Sequence, residues 1–183
     1  MGKVLAGMNM SLDGFIEDRN GSVARLYPDL DALRQTDLIQ QEIQLTGAVV
    51  MGRHAYDMAQ GDFTGYEFQA PIFVLTHHVP ETVAKGENER LRFIFVTDGI
   101  NHAIAQAKSA AGDQDVLVIG GAQTVRQCLQ AGLIDELEIG LAPVLLGGGL
   151  RLFEPHSSQP IELERIGVIE YPWFTHLRFR VVR

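Results

Sequence analysis

Val116-Leu117-Val118-Ile119-Gly120-Gly121-Ala122-Gln123-Thr124 runs four continuous apolar residues into two glycines and then into a helical stretch that continues to Ala131 and stops at Gly132. A strand without polar alternation is covered on both faces, as in a parallel sheet. Ala48-Val49-Val50-Met51 repeats the pattern, ending at Gly52 before a helical Arg53–Ala59. Ile72-Phe73-Val74-Leu75 and Phe93-Ile94-Phe95-Val96 are two further buried strands, and Ile100–Ala111 is an alanine-rich helix closed by Gly112. Upstream, Lys3–Leu12 reads as a first strand turned by Asp13-Gly14. Pro28 precedes the periodic Leu30, Leu33, Leu38, Ile39 and Ile43, which predicts one helix to about Leu45. Downstream, Leu137–Val144 has strand character. Ile161–Glu170 and Thr175–Val182 alternate, and Tyr171-Pro172-Trp173 links them as a long antiparallel hairpin. The expected fold is α/β: one mixed, mostly parallel sheet, helices on both faces, and a C-terminal antiparallel hairpin. Gly61–Ala70 and Val79–Arg92 read as surface loops.

The 183 residues suit a single domain spanning 1–183. Hydrophobic residues make up 46% and charged residues 21%, which excludes a disordered chain. No apolar run reaches the roughly 18 residues of a membrane span, and the N-terminus reads as a strand rather than a signal peptide. The lone Cys128 makes no intrachain disulfide, which fits a reducing, cytoplasmic setting. The balance of 15 basic and 23 acidic residues gives −8, a poor surface for nucleic acid. An anionic ligand must therefore be held locally, by a few placed Arg, His or backbone N–H groups.

Ligands of open α/β sheets sit beyond the carboxyl ends of the parallel strands. Gly120 and Gly121, with Ala122, Gln123 and Thr124 starting a helix, offer close backbone approach and a positive dipole end, which suits a pyrophosphate. A plain tight turn is the competing reading. Gly52-Arg53-His54 places two cationic groups at another helix start, where a phosphate would relieve the conflict with the dipole. An ordinary Arg–carboxylate pair would look the same. Thr76-His77-His78 ends a third apolar strand. Neighbouring strand residues point to opposite faces, so this is no metal pair, and no metal site is expected. Together these residues suggest one ligand with several phosphates.

In order and spacing, Val50–His54, Ile72–Thr76 and Val118–Gly121 resemble the dihydrofolate reductase superfamily. Asn9-Met10-Ser11-Leu12-Asp13-Gly14-Phe15-Ile16, Ala131–Leu137, Pro143–Gly149 and Leu152-Phe153 resemble a narrower branch. That branch is the reductase domain at the C-terminus of bifunctional riboflavin-biosynthesis deaminase-reductases, with its stand-alone bacterial relatives. The resemblance implies a dihydrofolate reductase-like fold, NADPH as cofactor, a homodimer and a small-molecule substrate. It places Arg53 and His54 near the adenosine 2′-phosphate, Thr76 and His77 beside the adenine ribose, and Gly120–Thr124 around the pyrophosphate. Asn9 and Ile16 would border the nicotinamide, with Ile16 on a covering loop. No deaminase zinc motif precedes this stretch, so a stand-alone reductase is expected.

The implied chemistry is hydride transfer to a small heterocyclic or sugar-linked substrate, as in 5-amino-6-(5-phosphoribosylamino)uracil reductase or dihydrofolate reductase. The alternative is a non-catalytic NADPH-binding module. The reduced product needs a proton, and a partly buried Asp of raised pKa would suit. Asp13, in the Ser-Leu-Asp-Gly turn, and Asp37, on the helix before Met51 but one residue short of the superfamily spacing, are the two candidates. An Asp-Gly turn and a solvated helix position are their bland readings. Cys128 falls on a helical period with Val125 and reads as core. Trp173 suits a dimer interface or a substrate pocket, and Gly147-Gly148-Gly149 a flexible turn near the substrate.

Overall fold

The computed structural model describes residues 2–154 and 160–182. Eight strands form one sheet in the order β5-β4-β3-β6-β1-β7-β10-β9. They are β1 (Val4–Ser11), β3 (Thr46–Gly52), β4 (Ile72–Leu75), β5 (Phe93–Val96), β6 (Asp115–Ile119), β7 (Glu136–Ala142), β9 (Leu163–Tyr171) and β10 (Phe174–Val181). The strands from β5 to β7 pair in parallel, and β10 and β9 add an antiparallel hairpin at the far edge. A short separate ribbon joins β2 (Phe15–Glu17) to β8 (Leu150–Arg151).

Residue alternation along the strands separates two cores. Val4 and Ala6, Ala48 and Val50, and Val116 and Val118 point to α4 (Ile100–Ala111) and α5 (Ala122–Gln130). Leu5, Val49, Met51 and Leu117 point to the opposite face, where α2 (Asp37–Leu45) and α3 (Arg53–Met58) lie. Small residues at Ala103, Ala107 and Ala111 let α4 approach the sheet closely.

Two expectations change. The single helix to Leu45 is two: α1 (Leu30–Arg34) stops, Thr36 turns extended, and α2 begins. Thr36 Oγ1 donates to Leu33 O at 2.7 Å and accepts from Ile39 N at 3.4 Å, so one hydroxyl closes the first helix and caps the second. Gly61–Ala70 and Val79–Arg92 are not merely surface loops. Phe63, Phe68, Ala84 and Leu91 are buried, and Phe63 stacks on Tyr56 with centroids 5.5 Å apart. The aromatic side chains of 61–70 lack helix or strand periodicity, yet with Ala84 and Leu91 they cover the face that α2 and α3 leave open. Among the described residues no helix is long and apolar enough to cross a membrane.

Ile104, 2% exposed, sits between α4 and the sheet. Ile104→Ala is expected to cost about 2–5 kcal/mol, the usual range for an apolar truncation that leaves a cavity. Urea unfolding measures it.

Candidate active site

β3 and β6 lie side by side, and the chain leaves their ends on opposite faces, through α3 and α5 respectively. Such a divergence opens a crevice. Here it is a cleft of about 750 Å³ lined by Gly52, Arg53, His54, Thr76, His77 and Gly121–Thr124, with Gly99 and Gln127 further along and Glu17 and Leu150 from the β2–β8 ribbon. The strand ends are stitched by Gly52 N donating to Gly120 O at 3.3 Å. The floor is shaped by missing side chains. A Cβ on Gly52 would lie 2.5 Å from Thr124 Oγ1, and one on Gly120 would lie 2.9 Å from Ala55 Cβ. Gly120 and Gly121 also hold φ of +70° and +72°, which side-chain-bearing residues rarely adopt.

Helix capping separates the cleft from the rest of the molecule. α3, α4 and α5 start after Gly52, Gly99 and Gly121, without a side-chain cap bond, and all three glycines line the cleft. α1 and α2 start elsewhere and are capped by Asp29 and Thr36. The first N–H groups of a helix lack intrahelical partners, so three positive helix ends converge on one cleft with no side-chain oxygen of the cap residue on them.

The side chains around it are already engaged. Arg53 Nε donates to both carboxylate oxygens of Asp57 at 2.8 and 3.0 Å, and Nη1 donates to His78 O at 3.1 Å. His54 Nε2 lies 3.0 Å from Glu17 Oε1. Thr76 Oγ1 donates to His78 O at 2.9 Å, which fixes the His77-His78 turn. The cleft therefore gathers Gly52, Arg53, His54, Thr76, His77, Gly121, Ala122, Gln123 and Thr124, with Gly120 joining β6 to it.

The remaining candidates lie elsewhere. Ile16 is 3% exposed and packs in the core below α4 and α5; its neighbour Glu17 faces the cleft. Asn9 lines a second cavity, where its Nδ2 donates to Leu26 O at 3.3 Å. Asp13 accepts from Ser11 Oγ at 2.6 Å, Leu146 N at 3.1 Å and Gly147 N at 2.8 Å. The Ser11 hydroxyl foremost, then burial acting against it, then the two amides leave the carboxyl at about 2. That corrects the expected raised pKa: Asp13 is a standing carboxylate that accepts from the Leu146 and Gly147 amides and so ties the start of the Gly147–Gly149 turn to its own turn. Asp37 is exposed in the first turn of α2 and lines neither cavity, so the partly buried acid expected there is not at that position either.

The second cavity, about 160 Å³, lies on the α2 face between β1, β7 and β10. Met8, one of its lining residues, accepts through Sδ from Gly120 N at 3.1 Å. The cavity's polar wall contains Glu42, Glu138 and His176, which sequence reasoning missed. The signal lay in strand alternation: Glu136-x-Glu138 on β7 faces His176-x-Arg178 on β10, and Arg178 pairs in register with Glu138. Arg178 Nη2 lies 3.0 Å from Glu136 Oε2, Arg178 Nε 2.8 Å from Glu138 Oε1, and His176 Nε2 3.4 Å from Glu138 Oε2. Burial raises the Glu138 pKa, but His176 and Arg178 outweigh it and keep the carboxyl below the usual range. Glu42 differs. Although α2 is partly exposed, the Glu42 carboxyl is desolvated in the cavity wall. That desolvation, then the Glu138 charge, push its pKa up to about 8 against the smaller pull of Arg178.

A carboxyl with a raised folded pKa favours folding while protonated, and loses that contribution as pH climbs from about 4.5 through about 8. Glu42→Gln keeps the neutral shape and removes the loss. Its Tm is expected to exceed wild type by at least about 3 °C at pH 9, the gap shrinking at pH 5. Thermal unfolding at both pH values checks this.

The sequence-family model of the RibD C-terminal domain matches residues 2–173. A Shewanella sp. PV-4 protein ascribed to riboflavin biosynthesis superposes with TM-score 0.80 at 26% identity, covering 99% of both chains. A Thermotoga maritima diaminohydroxyphosphoribosylaminopyrimidine deaminase/5-amino-6-(5-phosphoribosylamino)uracil reductase gives TM-score 0.78 at 17% identity, covering 99% of this chain and 57% of that one. Enterococcus faecalis dihydrofolate reductase gives 0.67 at 14% identity, over 98% and 96%. The uncharacterised Bacillus subtilis (strain 168) protein YyaP is 28% identical over 157 residues, 82% of this chain and 80% of its own. The fold is thus dihydrofolate reductase-like, and the chain belongs to the RibD C-terminal domain family.

Proposed function

We propose that this chain is an NADPH-dependent reductase acting on a small heterocyclic or sugar-linked substrate. One observation carries the reading: three glycine-started helices, none with a side-chain cap, open on a single cleft whose floor is cleared by Gly52 and Gly120. The family and its reductase neighbours support it. The residues present fit a phosphorylated dinucleotide. Gly120, Gly121 and the first amides of α5 would hold the pyrophosphate, and Thr124 Oγ1 is buried beside them. Arg53, His54, Thr76 and His77 would take the adenosine end and its 2′-phosphate. When bound, the reduced nicotinamide supplies a hydride. The chain's own part is to orient it and exclude water, and the β2–β8 ribbon closes one wall with Glu17 and Leu150.

Titration with NADPH, followed by oxidation assays on a panel including dihydrofolate and the ribosylaminopyrimidine, tests the reading. Binding without turnover of any substrate would favour a non-catalytic NADPH module instead. Arg53→Ala is expected to weaken NADPH by roughly tenfold or more while changing NADH little, since a charge-assisted phosphate contact is worth at least about 1.4 kcal/mol. Equal losses for the two dinucleotides would remove the 2′-phosphate from Arg53.

A homodimer is part of the same proposal. The edge strand β9 exposes Leu163, Val168 and Ile169 at 41%, 44% and 38%, an apolar edge that a second copy would cover. Sedimentation equilibrium should give twice the 20.2 kDa chain mass; a monomer would refute it.

A further inference from the structure

Both polar atoms of the Gly120 main chain are committed within the protein. β6 lies between β3 and β1 in the sheet. On the β3 side, Gly120 O accepts from Gly52 N at 3.3 Å. On the β1 side, Gly120 N donates to the thioether sulfur of Met8 at 3.1 Å. Resting on the dinucleotide reading, we propose that Met8 is a positioning residue. Its sulfur fixes the Gly120-Gly121 turn and so aims the amides of Gly121, Ala122 and Gln123 at the pyrophosphate.

Strand geometry explains why a side chain is needed at this point. β1 and β6 pair in parallel from Val4↔Val116 to Gly7↔Ile119, and the pairing stops there. β1 runs on to Ser11 beside β7, whereas the chain leaves β6 for α5. Gly120 takes a φ of +70°, outside the strand region, so its N–H leaves the ladder. Gly120 is buried, and a buried amide needs a partner. Met8, the next residue of β1 after the last pair, supplies it. A thioether is a weak acceptor, but an unbranched side chain with three rotatable bonds adapts to an irregular site. Met8 is also packed against the core under α4 and α5, which holds the sulfur in place.

The amides that follow are in a different state. Gly121 O accepts from Thr124 N at 2.9 Å and from Val125 N at 3.2 Å. Gly121 N, Ala122 N and Gln123 N have no hydrogen-bond partner among the described residues, and all three residues line the cleft. An anion at the start of α5 takes its hydrogen bonds from these three donors. Their directions depend on the backbone angles of Gly120 and Gly121, at φ of +70° and +72°. Glycine has more conformational freedom to lose than any other residue. At Gly120 the two bonds, to Gly52 and to Met8, remove that freedom. The turn needs glycine for its shape and sulfur to hold the glycine still.

A sulfur that only filled space would behave differently on substitution. Leucine satisfies packing, since the exchange conserves volume, but it loses the acceptor. Glutamine has a similar reach and restores an acceptor oxygen.

The test compares wild type, Met8→Leu and Met8→Gln. NMR follows amide hydrogen exchange. Titration measures binding of NADPH and of adenosine 2′-monophosphate, which lacks the pyrophosphate. In wild type without ligand, the Gly120 amide should exchange at least about tenfold more slowly than those of Gly121, Ala122 and Gln123. NADPH should slow the latter three. Met8→Leu should speed exchange at Gly120, weaken NADPH by roughly 2–10-fold, the worth of one ordinary hydrogen bond, and leave adenosine 2′-monophosphate unchanged. Met8→Gln should recover most of the protection and most of the NADPH affinity. Fast exchange at Gly120 in wild type would overturn the proposal without recourse to any variant. NADPH affinity equal in wild type and Met8→Leu would do the same. So would a loss shared by adenosine 2′-monophosphate, or an equal loss in Met8→Leu and Met8→Gln, either of which marks a packing role. Failure of wild type to bind NADPH would overturn the dinucleotide reading itself, and the proposal with it.

Discussion

The adjacency of Gly52 and Gly120 governs much of this molecule. β3 and β6 end together, bonded through those two residues, and the chain must then leave on opposite faces of the sheet. Side chains at either position would collide with Thr124 or Ala55, so the strand ends could not close while the helices stayed where they are. The crevice, the helix starts that open on it and the cleared floor are consequences of that one junction. It also explains how a chain of net charge −8 can offer an anion a place: the attraction comes from backbone N–H groups aimed by the fold, not from surplus lysine and arginine.

The parallel core was readable because four continuous apolar runs have no other stable home than a sheet covered on both sides. The glycine-to-helix junctions were readable for the same reason, since Gly52 and Gly120-Gly121 follow those runs directly. What escaped reading depended on long-range contacts. Asp13 looked like a candidate acid until Ser11, Leu146 and Gly147 were seen to converge on it, one of them from the same turn and two from more than a hundred residues away. Thr36 broke a helix whose apolar period ran straight through it. The aromatic residues of 61–70 carried no period at all, yet they close one face of the core. Asn9 lines the second cavity and Ile16 is buried in the core, placements set by how β1 and β2 pack and not visible in the motif itself.

The outer half of the α2 face departs most from ordinary core chemistry. Leu117 on β6 and Leu5 on β1 give way, on the next two strands β7 and β10, to Glu136, Glu138, His176 and Arg178. Removing such charges from water costs several kcal/mol per ion, and their mutual attraction only partly offsets it. Apolar residues of similar size would make a more stable sheet. Burial and the neighbouring Glu138 charge push the Glu42 pKa up, while, against its own burial, His176 and Arg178 hold the Glu138 carboxyl below the usual range.

The clip formed by Asp13 has one more consequence. It binds the turn after β1 to the glycines before β8, so the two strands of the β2–β8 ribbon are anchored at the same point. Because that carboxyl stays ionised down to about pH 2, mild acid does not loosen the anchor. The rim of the cleft that carries Glu17 and Leu150 is thus tied at its base to the Asp13 turn. His77 and His78 line the same cleft and are exposed.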